Sequence, residues 1–540
     1  MKIIDSNNLS NIDASKEFFD FCIVGAGVAG LIMADQLCDR FNIAIIESGD
    51  FNVNDKAQEL NETILSGHPV RNHLQNRIRQ FGGSCNVWAG RSLVLNNIDF
   101  RFRPWVNNSG WPFSKQELQQ YYSMLYGKYK MADFELFETE IDDISDALYK
   151  DLFKGDDLES IKAVWAKKIT RFGKKSETFR RLVRSNNVTL YKNATVSKLS
   201  ESNRSVVKCE VTSLSNRSFS VPSKIFVIAA GGIENARILL SSKDQNVNGI
   251  GNRYDNVGRY FMDHPSAVRR GIKLIKPIHH SSLFVKPLSQ GRFKNVIRFS
   301  ENYQEKNLLT NNHIEFSVKY PKSYEDAFSN IVQIGKTILK KGSSKKRYDF
   351  SQVSLGKIPE IIYLLSPSEL VPHFVSRTYH YFNKMTNRPL NCDEIVLSHH
   401  LEQVPNKNSR ITLSEQKNEL NINKVNLNWK IGDQEIETAQ MLENEIISKL
   451  QKSGWIDKNV TNEELNTFND ASHHIGTTRM NDDPLLGVVD RNCKVHLMDN
   501  LFLAGSSVFP TSGSANPTYT IAAMSLRLAC HLRGIHDKTK

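Results

Sequence analysis

The stretch Phe21-Cys22-Ile23-Val24, then Gly25-Ala26-Gly27-Val28-Ala29-Gly30, then Leu31 to Leu37, restricts the fold of this chain more than any other. A short apolar run of strand type enters a glycine turn, and an apolar run with helical spacing leaves it. The next apolar run, Ile43 to Ile46, ends at Glu47, where the second strand of a βαβ nucleotide-binding unit ends. A pyrophosphate needs backbone N–H donors at close range. Gly25 permits the tight turn, Gly27 lets the backbone approach the phosphates, and Gly30 lets helix and strand pack closely, so that the helix N-terminus faces the anion, with Val28 and Ala29 counted with this cofactor-binding turn. A carboxylate at Glu47 accepts hydrogen bonds from ribose hydroxyls and repels a 2′-phosphate. Dinucleotide binding is therefore expected, and this motif alone does not separate FAD from NAD.

Composition narrows the class. In 540 residues, 40 % are hydrophobic and 24 % charged, and 29 Gly with 16 Pro are too few for a low-complexity or collagen-like chain, so a globular protein is expected. The net charge of +12 is spread over the whole length and reads as ordinary solvated lysine rather than a nucleic-acid surface. The densest basic run, residues 340–347, reads as an exposed loop. Seven scattered cysteines without a CxxC pair argue against a disulfide framework and against a zinc ribbon, so no metal site is expected. No signal-peptide-like stretch and no run of about 18 uncharged apolar residues is present, so the expectation is a cytoplasmic protein without a transmembrane segment. No internal repeat is visible.

A second glycine-rich loop, Gly82-Gly83-Ser84-Cys85-Asn86-Val87-Trp88, offers small residues and exposed amides to a flat ring system. A further strand, Lys224 to Ala229, ends in another glycine turn, Ala230-Gly231-Gly232, before the helical Glu234 to Leu240. This looks like a return to the same sheet. Residues 101–185 and 269–465 differ in texture, with aromatic helical stretches and alternating segments such as Arg410-Ile411-Thr412-Leu413.

The C-terminal region is richest in chemistry: Ser472-His473-His474-Ile475-Gly476-Thr477, then Leu503-Ala504-Gly505-Ser506, then Ser514-Ala515-Asn516-Pro517-Thr518. Oxidising an alcohol requires removal of the hydroxyl proton while the carbon-bound hydrogen leaves as hydride. A neutral histidine suits the first task, and a second polar side chain must hold the hydroxyl in line. With the second glycine loop, with Ile228 to Leu240, with Gly258 to Pro265 and with Glu402-Gln403-Val404-Pro405, this region resembles the glucose–methanol–choline (GMC) flavin oxidoreductases, especially the bacterial branch near sugar and polyol oxidoreductases and pyranose oxidase.

The resemblance implies an α/β protein with a Rossmann-like FAD-binding lobe and a substrate-binding lobe of α+β type built on a mostly antiparallel sheet. The FAD lobe would comprise residues 15–100, 186–268 and 466–540, and the substrate lobe 101–185 and 269–465. It places the catalytic base at His473 and its partner at Asn516. His474 would be the base in a register shifted by one residue, while His264, His399 and His400 are expected to be structural. Gly505 and Ser506 would lie near the FAD phosphates or ribityl chain, Pro517 and Thr518 would present their backbone to the flavin, and the backbone of Val196 would meet the adenine. Some relatives attach FAD through a histidine just before the Trp of the second loop. That position is Val87 here, so non-covalent FAD is expected, with Cys85 a lesser alternative tether. The implied activity is oxidation of a CH–OH group of a sugar, aminosugar or polyol, with the electron acceptor left open. The alternatives are a GMC-like lyase that retains FAD without redox turnover, a nicotinamide-dependent dehydrogenase and a non-catalytic nucleotide-binding protein.

Overall fold

The computed structural model describes residues 1–8, 17–71, 73–138, 147–269, 271–278, 286–287, 291–318 and 392–538; the basic run at 340–347 lies outside these. The apolar run Phe19–Val24 forms a strand with parallel neighbours on both sides, Ile43–Ile46 and the second half of Ser218–Ile228. From Ile43–Ile46 the sheet continues in parallel through Val188–Lys192 to Lys2–Asp5, and beyond Ser218–Ile228 it continues to Leu501–Leu503. The first half of Ser218–Ile228 departs from this sheet into an antiparallel ladder with Ser205–Ser213, itself paired with Ala194–Ser202. One long strand thus serves two ladders.

The helix Val28–Leu37 begins inside the glycine turn, three residues earlier than the apolar spacing indicates, and packs against Pro517–Lys538 as well as the sheet. It is buried almost all round, which explains its apolar composition. This is the Rossmann-like lobe expected, and its parallel strands all deliver their carboxyl ends to one edge.

A second sheet contains Ser266–Val268, Cys392–His400, His313–Val318, Gly291–Phe299, Leu158–Ala166 and Arg91–Ser92 in that order, with each neighbouring pair antiparallel. Alternation divides its faces. Ile297, Ile314, Phe316, Ile395 and Leu397 form one core cluster with Leu442, Ile446, Ile447 and Leu450 of the helix Asp433–Lys452. Each such fully buried aliphatic side chain contributes about 1.5–3 kcal/mol. His313, Glu315 and His400 lie on the opposite face. A third, small sheet pairs Arg410–Lys417 with Asn423–Asn428, and the latter with Thr63–Leu65, tying a late segment to an early one. Among the described residues no helix is long and apolar enough to cross a membrane.

Close packing at the first turn explains Gly30: a Cβ there would stand 2.0 Å from the Gly25 carbonyl oxygen and 3.1 Å from Ile23 Cγ2. Gly30→Ala is therefore expected to destabilise the protein by about 2 kcal/mol or more through overpacking. Thermal unfolding checks this, and an unchanged melting temperature would contradict it.

Candidate active site

The carboxyl ends of three neighbouring parallel strands carry glycine turns, Gly25–Gly30, Ala230–Gly232 and Ala504–Gly505. Cβ atoms built on Gly27, Gly231 and Gly505 would meet nothing within 4 Å, so these backbones border open space where a ligand can come close. The second glycine loop docks on the first. Gly82 donates its N–H to the Ala26 carbonyl at 2.7 Å, and a Cβ on Gly83 would touch Gly27 Cα at 3.1 Å. Within that loop Ser84 Oγ accepts the Ile78 N–H, Asn86 donates to the Phe81 carbonyl, and Trp88 donates to the Thr170 carbonyl. Val87 is 59 % exposed and Cys85 is buried, with burial pushing its thiol up to about 12. So protonated a thiol is a poor nucleophile.

Glu47 sits at the end of its strand as the sequence indicates, but each carboxylate oxygen already accepts a backbone N–H, from Ala26 and Gly49, both at 2.8 Å. Its remaining lone pairs are what a ribose can use. The Val196 carbonyl accepts from Arg237 Nη2 at 2.7 Å, in a buried cluster where Arg79 and Arg237 both pair with Glu234. Ala230 donates its N–H to Asn235 Oδ1, and Ser506 Oγ donates to the His474 carbonyl at 2.6 Å.

The histidine doublet is separated by backbone conformation. Ser472 adopts φ 60°, held by Asp470 Oδ2, which accepts both its N–H and its hydroxyl. Beyond this bend His473 points to Asn516, with Nε2 3.5 Å from Asn516 Nδ2. The His474 ring lies near Phe261 and its Nε2 is buried without a hydrogen-bond partner among the described residues; burial, aided by Arg77, pushes it down to about 3.

Asn516 immediately precedes the helix Pro517–Lys538, so Pro517 occupies the first helical position and the Thr518 N–H is one of the unpaired donors of the helix N-terminus. The helix is anchored by the stacked rings of Tyr122 and Tyr519, 5.4 Å apart, and by Tyr122 Oη bonded to Thr520 Oγ1 at 2.9 Å.

Several neighbours of the pair were not singled out for the site from the sequence. His264 Nδ1 lies 2.9 Å from His473 Nδ1. Asp263 accepts the backbone N–H groups of His264, Ala471 and His473. From the second sheet, His313 Nδ1 meets Ser514 Oγ at 2.8 Å and stacks on His400, ring centres 4.8 Å apart. Arg91 reaches Glu315 at 2.8 Å and His313 Nε2 at 3.5 Å. His399 instead bonds Glu443 on the apolar side of that sheet. The Met-Asp-His-Pro motif was a signal for Asp263 and His264; His313 and Arg91 carry none. No group of three or more His, Cys, Asp or Glu suited to a metal occurs among the described residues.

Burial, reinforced by His264 and His400, holds His473 well below the usual histidine value, so it is neutral. Burial pushes His264 down to about 4, burial and Arg91 push His400 down to about 3, and burial with Asp470 nearby pushes Asp263 up to about 7. His264, His400 and His474 contribute stability that is full above pH ~6.5, the ordinary histidine value, and is lost as pH falls. Asp263 acts with the opposite sign, losing its contribution as pH rises from its ordinary value of 3.8 to about 7, and offsets one of the three. His313 and His473, held well below the ordinary histidine value, add to these three, while Asp99 and Glu435, pushed up to about 6 and about 7, subtract, so a net fall of about 1–3 kcal/mol per pH unit is expected between pH ~6 and ~4.5. Melting temperatures across that interval check it; a flat profile would contradict it.

Residues 405–525 match the sequence model of the GMC oxidoreductase family, over its C-terminal domain. The chain is 27 % identical to the fructose dehydrogenase large subunit of Gluconobacter japonicus over 316 residues, 58 % of this chain and 48 % of that protein. It is 28 % identical to 6'''-hydroxyparomomycin C oxidase of Streptomyces lividus over 26 % of this chain and 25 % of that one. It is 40 % identical to pyranose 2-oxidase of Tricholoma matsutake over 11 % of this chain and 10 % of that one. The matched stretches thus span half or less of these relatives. Among solved structures, a pyridoxine 4-oxidase (Mesorbium loti) superposes with TM-score 0.59 at 15 % identity, covering 95 % of this chain and 99 % of that one, and formate oxidase with 0.55 at 16 %, covering 97 % and 99 %. These are likenesses of fold.

Proposed function

We propose that this chain, which carries the C-terminal domain of the GMC oxidoreductases, binds FAD non-covalently and oxidises a CH–OH group of a sugar, aminosugar or polyol. The observation that carries the reading is the meeting of His473 Nε2 and Asn516 at a helix N-terminus beside three glycine turns with open Cβ space. The names of the sugar-oxidising relatives support the substrate class.

The residues present fit the cofactor. Gly27, Gly231 and Gly505 leave room for a close backbone approach, and His474 Nε2 is a buried polar atom without a partner among the described residues, where a cofactor hydroxyl or phosphate can supply one. Gly25 to Gly30 would hold the pyrophosphate, Glu47 the ribose, Val196 the adenine, and the loop of Gly82, Gly83, Ser84, Asn86 and Trp88, with Gly505, Ser506, Pro517 and Thr518, the flavin end. When bound, FAD supplies the acceptor for the hydride. Val87 offers no tether and the Cys85 thiol is protonated, which supports non-covalent binding.

His473 receives the alcohol proton at Nε2, and Asn516 holds the same oxygen in line through Nδ2. The Thr518 N–H and the helix N-terminus favour negative charge developing beside them. The FAD lobe is proposed to comprise residues 15–100, 186–268 and 466–540 and the substrate lobe 101–185 and 269–465; the first-sheet strand Lys2–Asp5 lies before these bounds, and Arg91–Ser92 and Ser266–Val268 at their edges pair into the second sheet. A reducing, cytoplasmic compartment is proposed from the scattered cysteines without a CxxC pair; Cys22 and Cys209 bring their sulfurs to 3.7 Å as a hydrogen-bonded thiol pair.

His473→Ala is expected to retain flavin yet slow anaerobic flavin reduction by sugars or polyols by about 10²- to 10⁴-fold. Stopped-flow absorbance checks this, and undiminished reduction would overturn the reading. Gly27→Ala, with room for its Cβ, is expected to leave the apoprotein's melting temperature unchanged while weakening FAD binding. Acid precipitation should release the flavin into the supernatant; yellow pellets would contradict non-covalent attachment.

A further inference from the structure

His264 and His473 face each other through their Nδ1 atoms at 2.9 Å, with rings nearly perpendicular at 77°. Two bare nitrogens do not attract at that distance and two N–H groups repel, so one proton lies between them. Its owner follows from the outer ends of the pair. His264 Nε2 faces the Ser512 carbonyl oxygen at 3.4 Å, which only accepts, so this nitrogen carries a hydrogen. His264 is neutral, since burial opposes its protonation, and its Nδ1 is then bare. The shared proton therefore belongs to His473 Nδ1. At the other end Asn516 Nδ2, which only donates, faces His473 Nε2. Both ends require the same arrangement: Nδ1–H on His473, and a bare lone pair at Nε2.

We propose that His264 is a positioning residue that accepts the Nδ1 proton of His473 and so keeps the Nε2 lone pair of that base aimed at the alcohol. The inference rests on the oxidoreductase reading and deepens it. In the proton step the alcohol O–H bond breaks and an Nε2–H bond forms on His473; the resulting imidazolium donates a charge-assisted, hence stronger, Nδ1–H bond to His264. Asp263 does not take this part, because it accepts the backbone N–H groups of both histidines and fixes their separation from the main chain. Without an acceptor at residue 264, the Nε2–H tautomer of His473 would present a proton to the alcohol instead of a lone pair.

Two variants and one spectrum test the proposal. His264→Leu removes the acceptor; it is expected to retain FAD and the apparent Kd for the alcohol within a few-fold, while flavin reduction at saturating alcohol slows by about 10²-fold or more, as for other wrong-tautomer bases. His264→Asn, whose carbonyl oxygen can occupy the place of Nδ1, is expected to recover most of that loss. Imidazole ¹⁵N shifts of the wild-type holoenzyme, labelled at histidine and assigned through the variants, are expected to report Nδ1-protonated His473 and Nε2-protonated His264. Wild-type reduction rates in His264→Leu, an Asn variant as slow as Leu, or an Nε2-protonated His473 would each overturn the proposal. The tautomers are read without turnover, so their failure is distinct from that of the functional reading, which falls only if His473→Ala reduces flavin undiminished.

Discussion

Asp263 is a fully buried carboxylate that accepts N–H groups from two parts of the chain some 200 residues apart, His264 on one side and Ala471 and His473 on the other. Burying a carboxylate is costly, and three backbone donors are what offset the lost hydration. Its own N–H donates to Gln403 Oε1, which also accepts from Trp429 Nε1, so the clamp extends to a third segment. The separation of the two histidine rings, and with it the proton arrangement of the site, depends on this one group. An apolar replacement would leave three backbone amides, one buried and two part-buried, without this acceptor, each at a cost of up to about 1–3 kcal/mol.

The remaining parts are brought together by polar ties between the sheets. Arg103 and Glu402 form a fully buried pair, and Glu402 also accepts the Asn311 N–H at 2.6 Å, so a loop, the start of a second-sheet strand and the Gln403 segment are held in one register. Breaking such a pair leaves an uncompensated charge and is strongly destabilising, even where the intact pair adds little. On the polar face of the second sheet, Glu315 pairs with both Arg91 and Lys294, and Arg91 in turn reaches His313, which bonds Ser514. Ser514 stands two residues before Asn516. The second sheet therefore reaches the segment before Asn516 through side chains that are themselves paired.

Local signals were legible in the sequence because they are local. The strand, glycine turn and helix of Phe21 to Leu37 lie within a few residues of each other, and the alternating segment at 410 became the strand Arg410–Lys417. The match of His473 to Asn516, 43 residues apart, was available only through the family's pattern. His264 was expected to be structural, since a histidine beside a proline carries no mark of its distant neighbour; the 2.9 Å contact arises from antiparallel bridging of Met262 with Ile475, across 213 residues. His313 and Arg91 were invisible for the same reason. Glu47 shows the converse limit: its position is legible, but the backbone amides that occupy its oxygens are not.

The doublet His473-His474 shows how one backbone dihedral divides two chemically identical side chains. Left-handed backbone at a non-glycine residue costs of order 1–3 kcal/mol, and Ser472 is held there by two bonds to Asp470. Past that bend the chain runs extended beside Met262, so successive side chains fall on opposite sides. His473 is delivered to His264 and Asn516, while His474 turns toward Gly232, where a Cβ would stand 2.7 Å from His474 Cβ. Sequence leaves either histidine eligible as the base. The bend at Ser472, and the acceptor that His264 places behind one ring only, give the two imidazoles different proton positions and therefore different chemistry.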